Sequence, residues 1–319
     1  MRTITFAQAI NEAMREEMLR DENVYLIGED IGVYHQGRGP TGASIGLYEE
    51  FGKERVIETP IEESAIVGAA TGSAMYGMRP VVEIMHSEFL CHCFEHVFYG
   101  GTKGAVMTDG IAFPLVVRAP FGGLKAGQLV QDENNEGWFN NSPGLKIVCP
   151  STPEDAKGMM KSAIRDNYPV LFMEHKGLYK TSGEVPEDEY LVPLNKAKVV
   201  LEGTDVSVLT YGRMVHVALE AAELLKAEGI NLEVVDLRSL HPLDEETILA
   251  SVKKTGRAVV FHEARKTGAL GGEVAAVVAE KGFADLKAPV VRVAAPNVPA
   301  NVPCTAADLI VGVKQVMAY

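Results

Sequence analysis

The sequence predicts an α/β protein built from two parallel-sheet domains. Three observations carry that reading. Short apolar runs bounded by turn residues recur along the chain, as strands buried on both faces do. Helical capping and periodicity signals fall between those runs, and strands alternating with helices point to a parallel sheet covered on both sides. Finally, 319 residues at roughly 150 per domain give about two domains.

The elements follow in order. Thr5 and Gln8 have capping-box spacing. Phe6, Ile10, Met14 and Met18 then recur every fourth residue as one apolar helical stripe. Val24-Tyr25-Leu26-Ile27, ending at Gly28, reads as a buried strand, and a Gly-rich loop occupies Ile31 to Gly46. Val56-Ile57 is a short strand leading into Thr59 to Ser64. Ala65 to Tyr76, with Gly68 and Gly72, reads as a helix lying very close to a neighbour, since glycine otherwise weakens a helix. Pro80 to Met85, Pro114 to Arg118, Leu145 to Cys149 and Pro169 to Glu174 are further strands. Gly122 to Asn141 is irregular and polar. Ser151 and Glu154 have capping-box spacing, with Pro153 in the first turn of the helix they open.

The polar stretch Thr181 to Leu194, with Pro186 and Pro193, reads as a connection. The first domain is placed at 1–183, the linker at 184–199 and the second domain at 200–319. In the second, Val206 to Leu209, Leu232 to Leu237, Ala258 to Phe261 and Val290 to Val293 are strands. Val215 to Leu225, stopped by Gly229, and Gly272 to Glu280 are helices.

Charge and composition exclude several classes. Lys and Arg number 30 against 43 Asp and Glu, a formal net charge of −13, and no basic face stands out, so nucleic acid is not an expected partner. No run of roughly 18 apolar residues predicts a membrane span. The N-terminal stretch lacks the apolar core of a signal peptide, so the cytoplasm is the default location. Cys91, Cys93, Cys149 and Cys304 form no C-x-x-C pair. Cys91 and Cys93, flanked by His92 and His96, fit no zinc spacing and read as core thiols.

Dinucleotide, P-loop, nucleophile-elbow and H-E-x-x-H signatures are missing. What remains is Glu62-Glu63 between a strand end and a helix start. Ligands of open α/β sheets lie beyond the carboxyl ends of strands, and a helix N-terminus favours a carboxylate. From the residues alone, an ordinary first-turn helix charge or cap is the plainer account of these acids. A second element is Met85-His86-Ser87-Glu88-Phe89 at another strand end, which also reads as plain core. A third is the run Gln131 to Glu136, which also reads as a solvated surface.

Taken together, several ordered motifs resemble one family. They are GEDI at Gly28, ETPIEE at Glu58, GxxxGSAMYGMRPVVEI at Gly68, PGLKIVCPSTPEDAKG at Pro143, DLRSLHPLDEETI at Asp236, and HEA with GALGGEVAA from His262. The family is the β subunit of thiamine-diphosphate-dependent 2-oxo acid dehydrogenases, acetoin and pyruvate types included. GEVPEDEYLVPLNKAKVV at Gly183 looks most like those two branches. The resemblance covers nearly the whole chain and implies a pyrimidine-binding domain followed by a transketolase C-terminal domain.

It also implies roles. Glu63 matches the glutamate that hydrogen-bonds a pyrimidine nitrogen of the cofactor; the favoured imino tautomer then removes the thiazolium proton. A partly buried carboxylate of raised proton affinity suits that task. Phe89 matches the aromatic that stacks on the pyrimidine, Met85 a residue near the same ring, and Glu29 an acid close by. Leu115, Ala163, Ile164, Asp166 and Tyr168 match a segment that holds a structural potassium through oxygen ligands. The family binds diphosphate and magnesium through a Gly-Asp-Gly motif on an α subunit. The implied assembly is therefore α2β2, with the site at the α–β interface and a lipoyl acyltransferase core as a further partner. His241, His262 and Glu263 read as packing groups of a domain that makes subunit contacts.

One departure stands out. Gln131 occupies the position of a family histidine that handles the acyl intermediate, followed by Asp132 and Glu133 in place of Ser and Gln. Glutamine cannot shuttle a proton at neutral pH. Three readings follow. Another group, such as His86 or His92 beside Phe89 or a histidine of the α chain, takes over the role. Alternatively the substrate is neutral, as acetoin is, because acids there would repel an anion. Or the chain is a weakened structural or regulatory subunit, against which Glu63 and Phe89 count. The C-terminal half of a split transketolase is a further enzymatic alternative.

Overall fold

The structure, a computed structural model, describes residues 1–34, 39, 41–107, 110, 112–123, 127, 131 and 133–319. The chain divides into two units: Met1–Phe121 with Phe139–Leu194, and Gly122–Trp138 with Asn195–Tyr319. The stretch Gly122–Trp138, read from sequence as part of the first domain, thus clusters with the second unit.

In the first unit, β1 (Arg2–Thr5) leads into α1 (Phe6–Arg20) through the capping box of Thr5 and Gln8. Phe6, Ile10, Met14 and Met18 are all buried, as the four-residue spacing requires. Next come β2 (Val24–Glu29), α2 (Leu47–Phe51), β3 (Val56–Thr59), α3 (Glu63–Met75), β4 (Arg79–Glu83) and α4 (Phe94–Met107). Then follow β5 (Val116–Phe121), β6 (Lys146–Val148), α5 (Pro153–Arg165), β7 (Val170–His175) and β8 (Ser182–Val185). Six strands lie in the order β6-β7-β5-β4-β2-β3, and every neighbouring pair among them is parallel.

Three details differ from the sequence reading. The cap of α5 is Thr152, whose side chain accepts from Asp155 N–H, one residue later than the Ser151–Glu154 pair predicts. Part of the polar connection is a strand, because β8 pairs antiparallel with β1 (Ile4 opposite Gly183). In α3 the close approach occurs at Gly68, where a Cβ would come within 3.2 Å of the His96 ring, whereas Gly72 faces open space.

The second unit holds β9 (Lys198–Leu201), β10 (Val206–Thr210), α6 (Met214–Lys226), β11 (Leu232–Asp236), β12 (Ser239–His241) and α7 (Glu245–Thr255). It continues with β13 (Ala258–Arg265), α8 (Gly271–Lys281), β14 (Val291–Ala295) and α9 (Ala306–Met317). Its sheet runs β14-β13-β10-β11-β9, parallel except for the antiparallel edge strand β9. Val208, Val234, Val259 and Phe261 meet Leu225, Leu309 and Val313 in one core. Among the described residues, no helix is long and apolar enough to cross a membrane.

Candidate functional site

The parallel register of β2, β3 and β4 sets their carboxyl ends side by side: Gly28 lies opposite both Glu58 and Glu83. Gly28 must be glycine, since a Cβ there would lie 2.8 Å from the Glu83 carbonyl oxygen. Glu29 is therefore the last residue of β2 at the same edge where β3 turns into α3. Met85 and His86 follow β4 and lead into a short 3-10 turn, Ser87–Cys91, that carries Phe89.

Glu63 is the first residue of α3, 6% exposed, where the helix N-terminus stabilises its negative charge. Its Oε2 lies 3.4 Å from Nδ1 of His92, whose side chain is 60% exposed. The Phe89 ring lies near-parallel to His92, with centroids 6.0 Å apart, and edge-on to His86 at 5.8 Å. Met85, His86 and Phe89 are half-buried. Burial raises the proton affinity of Glu29, and the negative charges of Asp30 and Glu63 add to it. Burial also pushes the Cys93 thiol up to about 12, with Glu63 as the next cause. Glu63, Glu29, Phe89, His86 and His92 are thus brought together from three neighbouring strand ends. Cys93 is a core thiol as expected, but Cys91 is exposed, because it closes the turn on its solvent side.

Sequence reasoning passed over Glu58. Its carboxylate takes the N–H groups of Val33 and Tyr34, at 2.8 and 3.1 Å, and so holds the chain leaving β2. Asp30, just after Glu29, adopts a left-handed backbone with φ 58°, uncommon for a residue with a side chain. An acid directly after a strand-end acid was the available signal.

A second carboxylate cluster lies in the same sheet. Arg118, fully buried in β5, donates to both Glu174 oxygens at 2.7 and 2.9 Å and pairs with Glu83. Tyr179 donates to Glu174 at 2.7 Å. Burial works against the guanidinium charge, yet Glu174 and Glu83 outweigh it and raise the Arg118 pKa. Burial raises that of Glu83 against the opposing charge of Arg118, and the Glu174 charge adds to the rise.

The remaining sequence-predicted residues lie elsewhere. Gln131, exposed and left-handed at φ 66°, belongs to the stretch grouped with the second unit; Asp132 lies outside the described residues. In the segment read as a cation site, Leu115 and Ala163 carbonyls accept from Val170 and Asp166 N–H at 2.8 and 3.2 Å. Arg79 donates to the carbonyls of Ile164 and Asp166 at 2.9 and 3.0 Å, Lys146 pairs with the Asp166 carboxylate, and Tyr168 N–H caps the same carboxylate. Two cations of the chain, Arg79 and Lys146, thus serve the oxygens of Ile164 and Asp166 in this segment. Among the described residues, no group of three or more His, Cys, Asp or Glu is placed to hold a metal ion. In the second unit, His262 is buried, its Nδ1 3.1 Å from the Ala264 carbonyl, and burial lowers its pKa to about 4.

What the first-unit site can do follows from its groups. A nearly buried carboxylate at a helix start, a half-buried aromatic ring and a thioether suit a planar nitrogen heterocycle, stacked and hydrogen-bonded at its edge.

Comparison with known proteins agrees. Residues 2–182 match the family model described as transketolase, pyrimidine binding domain, and residues 195–315 that of the transketolase C-terminal domain. The 2-oxoisovalerate dehydrogenase subunit beta of Bacillus subtilis (strain 168) is 47% identical over 302 residues, covering 94% of this chain and 91% of the relative. The pyruvate dehydrogenase E1 component subunit beta of the same strain is 46% identical, with coverage of 93% and 91%. The acetoin:2,6-dichlorophenolindophenol oxidoreductase subunit beta of Cupriavidus necator is 45% identical, with coverage of 97% and 93%. Values so alike choose no substrate among the three. A solved split-gene transketolase, an inactive beta4 tetramer, superposes with a TM-score of 0.81 over 99% of this chain and 98% of its own, at 23% identity, which speaks for the fold. The chain therefore belongs to the family of β subunits of thiamine-diphosphate-dependent 2-oxo acid and acetoin dehydrogenases.

Proposed function

We propose that this chain is the β component of an enzyme that cleaves the bond beside a carbonyl in a 2-oxo acid or an acetoin-like hydroxyketone. Thiamine diphosphate, when bound, supplies the carbon nucleophile for that cleavage. The observation that carries the reading is Glu63: a nearly buried carboxylate on a helix N-terminus, beside an aromatic ring at adjoining strand ends.

In this reading Glu63 holds the pyrimidine edge and a proton at its carboxylate, activating the cofactor. Phe89 stacks on the ring and Met85 packs beside it. His92 orients Glu63 through Oε2, and its exposed side lets it exchange protons with solvent. The raised proton affinity of Glu29 makes it a reservoir beside Glu63. His86, edge-on to Phe89, is a further acid–base group. The diphosphate and magnesium are held by an α partner in an α2β2 assembly, and a lipoyl acyltransferase receives the acyl group. The split-transketolase neighbour, inactive as a beta4 tetramer, supports the need for a second kind of chain. Relatives at 45 to 47% identity favour the dehydrogenase over that transketolase at 23%.

The test is turnover of the purified α–β complex with 2-oxo acids and acetoin, read with an artificial electron acceptor. Glu63→Gln is expected to lower thiamine-diphosphate-dependent turnover by at least about 100-fold, the usual scale of a lost proton-transfer group. Near-normal turnover of that variant contradicts the assignment.

A further inference from the structure

In the second unit, β14 is the last strand on one side of the sheet, and among the described strands none pairs with its outer edge. Lys266 N–H donates to the Ala295 carbonyl at 3.0 Å, so that carbonyl points to the β13 side. By the alternation of a strand, Val291 and Val293 face β13 as well, while Arg292 and Ala294 turn their backbone N–H and C=O groups to the open side. A groove of about 560 Å³ lies along this strand, within the second unit. The successive residues Val290 to Ala294 line it, a run of roughly 16 Å at about 3.3 Å per residue. Its other wall is the side of α9 that carries Asp308, Val311, Gly312 and Gln315. Gly312 lets the helix approach, since a Cβ there would come within 2.4 Å of Val293.

The lining is apolar with a positive bias. Val302 is 39% exposed and Val311 69%. Lys266 and Arg292 are its cations, and among the described residues neither forms an ion pair; the Arg292 guanidinium donates to the Lys266 carbonyl at 2.9 Å. The acid of the lining, Asp308, is turned on the start of its own helix. It accepts from the Thr305 N–H and hydroxyl at 2.9 and 2.6 Å, where the α9 N-terminus offsets its charge. A chain of net charge −13 thus carries here a groove that favours an anion. The shape narrows the kind. A single phosphate or carboxylate would fill one end of a groove this long and use little of the strand edge. A second copy of β14, paired about a two-fold axis, would set Arg292 close to its counterpart, and like charges across a strand pair are destabilising. An extended acidic segment meets both demands: its backbone continues the sheet and its carboxylates reach the cations.

We propose that the open edge of β14 docks a separate protein through an extended segment alternating acidic and apolar residues, added to the sheet as a further strand. The Arg292 and Ala294 backbone supplies the hydrogen bonds, Arg292 and Lys266 select the charge, and Val302 and Val311 receive the apolar side chains.

The purified full chain tests this by fluorescence anisotropy with a labelled short peptide alternating Glu and Val. That peptide is expected to bind saturably. A Lys–Val peptide of the same length is expected to bind at least about tenfold more weakly, the scale of partly screened charges. The Glu–Val peptide N-methylated at every amide, which cannot donate to a strand, is expected to lose at least about as much. Arg292→Glu, and Val311→Asp at an exposed position, are each expected to weaken the Glu–Val peptide about tenfold with the melting temperature little changed. No binding of the Glu–Val peptide, equal binding of the Lys–Val or N-methylated peptide, or undiminished binding by Val311→Asp overturns the proposal. Self-association of the chain that Val311→Asp abolishes puts a second copy on the edge and overturns it too. Loss of peptide binding in the α–β complex puts the α partner there, with the same consequence.

Discussion

The first unit carries two glutamate clusters at the ends of neighbouring strands, and they are built in opposite ways. Around Arg118, Glu83 and Glu174 are closed off from water, and both Glu174 oxygens and Oε2 of Glu83 accept from one guanidinium. Around Glu63, the carboxylate is almost as deeply placed, but its partner is a solvent-exposed histidine and its neighbours are half-buried rings. Burial alone does not distinguish a structural acid from a functional one. What differs is whether the protein supplies a fixed countercharge. A buried acid matched by arginine is committed to the fold, while one matched by an exposed histidine remains available to a ligand.

The largest expected effect breaks the closed cluster. Arg118→Leu leaves two buried carboxylates without their cation, which costs about 3–5 kcal/mol. The melting temperature of the complex is expected to drop by roughly 10 °C, or the variant fails to accumulate folded. A melting temperature within about 2 °C of the wild type would show that Glu83 and Glu174 do not depend on Arg118.

The same rule extends to His262 in the second unit, a buried group matched only by a backbone carbonyl. Its pKa is lowered from 6.5 to about 4, chiefly by burial. Between those values the unfolded chain binds a proton that the folded one refuses. Its contribution is therefore fully present above about pH 6.5 and is lost as the pH falls towards 4, about 3 kcal/mol in all. His262→Gln should flatten this part of the stability-versus-pH curve. A curve parallel to the wild type would place the acid sensitivity elsewhere.

A smaller effect sharpens the open cluster. Phe89→Leu keeps an apolar side chain and loses the ring, removing stacking worth about 1 kcal/mol. Thiamine diphosphate is expected to bind the α–β complex roughly five- to tenfold more weakly by titration, with the melting temperature of the cofactor-free complex little changed. Unaltered affinity would remove Phe89 from the site.

Much of the fold was legible because it rests on local signals. The Thr5–Gln8 capping box and the Phe6-Ile10-Met14-Met18 stripe state α1 outright, and Val24 to Ile27 is apolar because β2 is covered on both faces. The pairing of β8 with β1 was hidden, since Ser182-Gly183-Glu184 carries no apolar alternation and its partner lies far away in sequence. At the site, Glu63 and the Met85-to-Phe89 stretch were visible as polar or aromatic groups at strand ends. Their arrangement with Glu29 and His92 was not, because it depends on the parallel register of three strands. Glu133 shows the limit most plainly. In sequence it is one acid in an acidic run; its charge is settled by Arg265, more than a hundred residues away along the chain.

The most direct measurement is hydrogen–deuterium exchange at the thiazolium carbon of thiamine diphosphate bound to the α–β complex, followed by quenched-flow NMR. If Glu63 activates the cofactor, Glu63→Gln slows that exchange by at least about 100-fold while the complex stays assembled and the cofactor stays bound. Exchange at the wild-type rate in the assembled, cofactor-loaded variant would contradict the account at its centre.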